Sequence, residues 1–249
     1  MPARSRLWPD PRVKPPYGAV EIDWAHPLAT GLVACWLFNE GAGTVLNNLV
    51  SVAQQAFIND NINVTWSASR LGLALAGNSG AGNSGIGIDP GITTGTTFTW
   101  DTRVAPDLSS TYGALFVAAD QQGLYIRSSG LFDVVTGSDQ QSNTAITANT
   151  RHHYAQVCAA GSGTHNLDGV ADGTFSSITS HVSTRMFQVS TLRYGGICEF
   201  QRFWSRALSA SEVQWLAAEP YAMLRPIIQR RYFVPAAGSA LNLATAWVE

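Results

Sequence analysis

The chain has 249 residues, only 13% of them charged, and 15 basic against 17 acidic side chains give a net charge of −2. That length lies near the upper size of a single hydrophobic core, and the charge balance excludes a general polyanion binder. Polarity rests instead on Ser, Thr, Asn, Gln and Gly, since ordinary domains carry roughly 25% charged residues.

Residues 1–27 read as a Pro-rich N-terminal arm. Pro2, Pro9, Pro11, Pro15 and Pro16 fall within the first sixteen positions and Pro27 closes the segment. Proline at that density forbids helix and central strand and favours extended backbone. Leu7, Trp8, Tyr17, Ile22 and Trp24 nevertheless ask to be buried against something. Arg4, Arg6, Arg12 and Lys14 are present without an apolar run of signal-peptide length, so synthesis in the cytoplasm is expected. No segment reaches the roughly 18 apolar residues of a membrane span.

The first strong strand is 32–38, apolar on both faces as a central sandwich strand should be. Asn39-Glu40-Gly41 then turns the chain. Further short strands are expected at 57–62, 71–76, 98–104, 114–119, 123–127, 131–135, 152–159, 164–167, 186–189 and 197–204. Many short strands separated by turn signals imply a sandwich. The Gly-Asn-Ser-Gly repeat at 77–85 reads as a surface loop. A short helix follows Leu208. Ser209 is its N-cap, Glu212 completes a capping box, Leu208 and Val213 are spaced as a hydrophobic staple, and Pro220 stops it. Cys35, Cys158 and Cys198 each lie in an apolar run, and the odd count argues for buried thiols rather than a disulfide framework.

Two stretches carry a family resemblance. Gly31-Leu32-Val33-Ala34-Cys35-Trp36-Leu37-Phe38-Asn39-Glu40-Gly41-Ala42-Gly43 resembles the opening of laminin-G-like, concanavalin A-like jelly-roll domains. Trp204-Ser205-Arg206-Ala207-Leu208-Ser209-Ala210-Ser211-Glu212-Val213 resembles their closing motif. His152-His153 followed by Asp168-Gly169 is similar to a strand-and-turn landmark of the same fold. The resemblance implies an all-β jelly-roll sandwich over residues 28–222 with one short C-terminal helix. Residues 1–27 and a C-terminal extension, 223–249, flank it as arms.

Many jelly rolls of this architecture are glycosidases, whose relatives place Glu-x-Asp-x-x-Glu along one strand face. The six glutamates are Glu21, Glu40, Glu199, Glu212, Glu219 and Glu249, and only Glu21 has an acid at i+2, Asp23. No catalytic residues are therefore expected, and no nucleophile elbow or phosphate loop is found. Adjacent histidines on a strand face opposite sides and cannot chelate one metal. No cofactor is expected; for calcium, Asp120, Asp168 and Asp172 lie in loop contexts without forming a ligand string. Trp66, Trp100 and Tyr125 are sugar platforms if exposed and sandwich core if not.

The flanks Ala25-His26-Pro27-Leu28-Ala29-Thr30-Gly31-Leu32-Val33 and Glu219-Pro220-Tyr221-Ala222-Met223-Leu224-Arg225-Pro226 resemble tailed-bacteriophage proteins that carry this domain. The implied role is a non-enzymatic virion protein, foremost a capsid decoration protein held to the major capsid protein or other virion subunits, as a homo-oligomer such as a trimer. The alternative is a lectin-like head or tail adsorption protein binding host glycan. The arms hold seven of the 15 basic residues. A nucleic-acid site shows a longer basic stripe, whereas arginine is favoured at protein interfaces. Expected partner contacts are Arg4, Arg6, Leu7, Trp8, Arg12, Tyr17, Arg230, Arg231, Tyr232, Phe233 and Trp247, with neither nucleic acid nor membrane as a partner.

Overall fold

The computed structural model describes residues 8–59, 64–69, 72–77, 85–118, 123–136, 138–189 and 192–227. In chain order the strands begin with β1 (Val20–Ile22), β2 (Leu32–Trp36), β3 (Val45–Leu46), β4 (Gln55–Ile58), β5 (Val64–Ser69) and β6 (Gly72–Gly77). They continue with β7 (Ile86–Thr94), β8 (Phe98–Pro106), β9 (Tyr112–Ala118), β10 (Gly123–Arg127), β11 (Phe132–Val135), β12 (Asp139–Gln141) and β13 (His152–Ala159). Then come β14 (Ser162–Leu167), β15 (Val170–Phe175), β16 (His181–Met186), β17 (Gln188–Val189), β18 (Leu192–Arg193) and β19 (Gly196–Trp204). Helix α1 (Ala210–Ala218) and β20 (Leu224–Pro226) complete the described fold.

Two antiparallel sheets face each other as a jelly-roll β-sandwich. One runs β12-β11-β10-β9-β16-β7-β4-β3, the other β15-β14-β13-β8-β19-β6-β5 with β2 also on β19. Their inner faces meet in a core where Trp100 stacks on Phe116 and Phe132 on Tyr154. Trp100 and Tyr125 are buried, so neither is a sugar platform; half-buried Trp66 donates Nε1–H to the Gly43 carbonyl, 3.1 Å away. The three thiols are free and buried, as their apolar contexts predict.

The strands at 32–36, 98–106 and 196–204 match expectation closely because continuous apolar runs report burial on both faces. Strand β7 is unexpected, since Pro90 interrupts its sequence. The structure accommodates it by an irregularity: β16 pairs Ser183 with Ile92 and then Arg185 with Gly87, leaving Pro90 outside the ladder.

A second core covers the outer face of the β8–β13–β19 sheet. Cys35, Ala155, Phe200 and Trp204 pack there beneath Val213 and Leu216 of α1. Ser209 Oγ accepts the Glu212 amide and Glu212 returns the bond to Ser209 N–H at 2.8 Å, completing the expected capping box. Hydrogen bonds from Arg206, at 2.7 and 3.0 Å, are the main reason the Glu212 carboxyl is held down at about 2.

The N-terminal segment differs from a free arm. From Trp8 onward it lies on this chain's own sandwich, because β1 pairs with β20 and buries Val20 and Ile22 in the second core. Trp8 N–H bonds the Leu224 carbonyl at 2.8 Å, and Tyr221 N–H bonds that of Pro11 at 2.9 Å. Met223 and Leu224 are buried in the same core, so the domain extends past residue 222.

Candidate functional site

Seating the N-terminal segment creates a cleft of about 350 Å³ against the sandwich. Tyr17, Val20 and Glu21 form one wall. The other wall comes from the loop after β2 and from the β3–β4 connection, with Glu40, Asn47, Leu49, Val52 and Gln55. Ile227, just beyond β20, lies at the rim. The loop geometry follows from local bonds: Glu40 Oε1 accepts Asn47 N–H at 2.7 Å, and Asn48 Oδ1 accepts the amides of Cys35 and Val50. Asn39 Nδ2 donates to the Pro15 carbonyl at 2.9 Å and ties the two walls together.

The cleft's chemistry is amphipathic. Tyr17 is 57% exposed, and its hydroxyl accepts from Asn47 Nδ2 at 3.2 Å, which leaves the ring face toward solvent and cleft. Glu40 Oε2 is buried without a hydrogen-bond partner among the described residues. Native folds rarely leave a buried polar atom unsatisfied, and one that persists calls for an explanation such as a water or ligand. Glu21 at the rim accepts from Arg225 Nε at 2.9 Å. An exposed ring over apolar walls with a few convergent polar groups is the makeup of a small-ligand cleft.

Beneath the N-terminal segment lies its fastening. Lys14 is buried, and its Nζ donates to the carbonyls of Phe38 at 2.9 Å, Glu199 at 2.7 Å and Leu73. Strand β19 shares one edge between β6, which pairs through Cys198, and β2, which begins at Gln201. Glu199 falls in the seam between them, where the ammonium bonds its carbonyl together with those of Phe38 and Leu73.

A second concavity, about 360 Å³, lies beside α1 and contains Arg103, His153, Asp168 and Gln214. Asp168 is committed to the turn: it accepts His153 N–H at 2.8 Å and pairs with His152 Nδ1 at 2.7 Å. His152 is half-buried, whereas His153 points into the second core and pairs with Asp101. The two histidines thus face opposite sides. Asp172 is likewise occupied, accepting Thr144 Oγ1 at 2.6 Å where β12 and β15 meet. Among the described residues, no group of three or more His, Cys, Asp or Glu is placed to hold a metal ion. Asp120 lies outside them.

Of the expected partner contacts, Trp8 is half-buried on the second core, while Arg12 and Tyr17 are exposed. Arg4, Arg6, Leu7, Arg230, Arg231, Tyr232, Phe233 and Trp247 lie outside the described residues. Glu40 in its turn and Tyr17 in the N-terminal segment stand 23 positions apart in the chain, and no local pattern joins them. The alternation Val20-Glu21-Ile22 was the one local signal that the arm returns as a strand.

No protein-family model matches the sequence, and no curated protein matches it. Solved structures do share the fold. Domain 4 of AbnA, a GH43 extracellular arabinanase from Geobacillus stearothermophilus solved with arabinotriose, aligns at TM-score 0.59 and 17% identity. That alignment covers 75% of this chain and 98% of that one. The binding domain of Paraclostridial Mosquitocidal Protein 1 aligns at TM-score 0.60 and 15% identity, over 76% of this chain and 52% of that one. Trypanosoma rangeli sialidase aligns at 0.57 and 14%, over 76% and 32%. This chain therefore spans about half and about a third of the latter two. At these identities the likeness establishes the class, a jelly-roll β-sandwich.

Proposed function

We propose that this jelly roll is a non-enzymatic carbohydrate-binding module that holds glycan in the cleft between Tyr17 and Glu40. The observation that carries the reading is an exposed aromatic ring, Tyr17, sharing one cleft with apolar walls and the polar side chains of Glu21, Glu40, Asn47 and Gln55. The laminin-G-like motifs and a fold neighbour solved with arabinotriose support it. Catalysis is not part of the reading. A glycosidase needs an acid placed to protonate a leaving group, whereas Glu21 accepts from Arg225 and Glu40 from the Asn47 amide. The test is a glycan array on the whole chain beside Tyr17→Ala. Binding is expected for the native chain and a several-fold loss for the variant, ring stacking contributing about 0.5–1.5 kcal/mol. A blank array at high protein concentration would reject the reading.

A second reading, a capsid decoration or other virion structural protein, draws on the composition of the tails, residues 1–7 and 228–249. The described residues next to them, Trp8 and Ile227, both bond to the β1–β20 region: Trp8 N–H to the Leu224 carbonyl and Ile227 N–H to that of Ala19 at 2.9 Å. Those tails carry Arg4, Arg6, Arg230, Arg231, Tyr232, Phe233 and Trp247, a composition suited to holding neighbouring virion subunits in a homo-oligomeric array. Removing both tails is expected to abolish incorporation into phage particles while leaving the domain folded. Unchanged incorporation would sink this role.

A further inference from the structure

We infer that the Tyr17–Glu40 cleft selects a short, uncharged saccharide and rejects glycans carrying a carboxylate; this rests on the glycan-binding reading above. Charge is the first argument. The walls supply Glu21 and Glu40, and among the described residues that line the cleft none is Lys, Arg or His. The nearby guanidinium, Arg225, is already engaged by Glu21 at 2.9 Å and Asp23 at 3.8 Å. Glu21, Asp23 and Glu40 thus outnumber Arg225 and the buried Lys14, whose ammonium is spent on three carbonyls, so a uronic or sialic acid entering here meets a net negative field and, among the described residues, no free fork to hold its carboxylate.

The hydrogen-bonding pattern is the second argument. Glu40 lines the cleft as a pure acceptor, which suits an O–H donor, direct or through a bridging water. Asn47 uses its Nδ2 on Tyr17 and Glu40, which leaves its oxygen able to accept. Gln55 brings an amide with both a donor and an acceptor. Hydroxyls that donate and accept in turn match this set. An ammonium, which needs three acceptors at once, meets apolar walls of Val20, Leu49 and Ile227 on its remaining sides.

Size is the third argument. At about 350 Å³ the cleft lies at the small end of the ligand-site range of roughly 300–1,000 Å³, which suits one or two rings stacked on Tyr17 rather than a long polymer.

The experiment is titration calorimetry of the full chain with three series built on the same backbones: neutral oligosaccharides, their C6-oxidised uronates and their amine derivatives. Native protein is expected to bind a neutral member and to lose at least about tenfold in affinity on oxidation. Glu40→Gln is expected to weaken the neutral ligand roughly ten- to hundredfold, as for a lost bond to a charged group, and to narrow the gap to the uronate. Gln55→Ala, which leaves the Glu40 turn intact, is expected to weaken neutral binding without narrowing that gap. Equal or tighter uronate binding, or binding of amines alone, overturns the selectivity while leaving the glycan-binding reading standing. Silence from all three series overturns both.

Discussion

Replacing Asp101 with alanine is expected to destabilise the protein by about 3–5 kcal/mol, the cost of stranding buried charges by removing their partner. Asp101, on β8, is fully buried on the covered face of its sheet. It sits opposite Arg202 of β19 and beside His153 of β13, and both side chains turn to it. Arg202 Nε donates to Asp101 Oδ2 at 2.7 Å, Nη2 pairs with the same oxygen, and His153 Nε2 pairs with Oδ1. Burial works against the Asp101 charge, but Arg202 and His153 outweigh it and hold the carboxyl below its ordinary pKa. The guanidinium also lies 4.1 Å from the Phe200 ring centroid, and its Nη1 reaches the Pro220 carbonyl beyond α1. One carboxylate therefore organises three strands and the end of the helix. Urea unfolding of Asp101→Ala gives the measurement, and a loss under about 1 kcal/mol would contradict this account. The double variant Asp101→Leu/Arg202→Met, which replaces the ion pair by apolar groups, is expected to recover much of the loss.

Lys14→Ala has the second large effect, because three carbonyls in the β2–β6–β19 seam lose their donor together. Each buried acceptor left unsatisfied costs about 1–3 kcal/mol, reduced where water enters. The loss is expected to appear first as release of the segment from Trp8 to Asp23, read by hydrogen exchange at the amides of Asp23 and Ile227, which bond the Met223 and Ala19 carbonyls across the β1–β20 pair, and by proteolysis near Arg12. The Tyr17 wall goes with it, so glycan affinity is expected to fall even though Lys14 does not line the cleft. Protection at Asp23 and Ile227 unchanged from the native chain would refute the role of Lys14 as the fastening.

The same lysine sets a pH dependence. Burial pulls its ammonium from the ordinary 10.5 down to about 7, against the opposing pull of Glu199. Between those values the unfolded chain holds a proton that the folded chain has released, so stability rises as pH increases from about 7 toward 10.5. Lys14→Met is expected to flatten that slope in thermal unfolding followed across the window.

Much of the scaffold is legible in the chain order. Apolar runs such as Leu32–Trp36 and Gly196–Trp204 announce buried strands, and Ser209 with Glu212 marks the helix start within three residues. Those signals are local, since a strand alternates every two residues and a cap spans four. The absence of a Glu-x-Asp-x-x-Glu strand was equally readable. The seating of the N-terminal segment on this chain's own sandwich is not legible, because proline density reports what backbone is forbidden, not what surface the segment lies on; Val20–Ile22 becomes a strand only by meeting Leu224–Pro226.

Fold class, buried thiols and the capped helix are legible in the residues alone, since each depends on neighbours a few positions apart. Three-dimensional packing is what makes Lys14 close a seam against Phe38, Leu73 and Glu199, sets Asp101 against Arg202 and His153, and brings Tyr17 and Glu40 to one cleft. Charges and orphan acceptors become tolerable in a low-dielectric interior only when their partners arrive from other strands. Strand register, not spacing along the chain, brings those partners together.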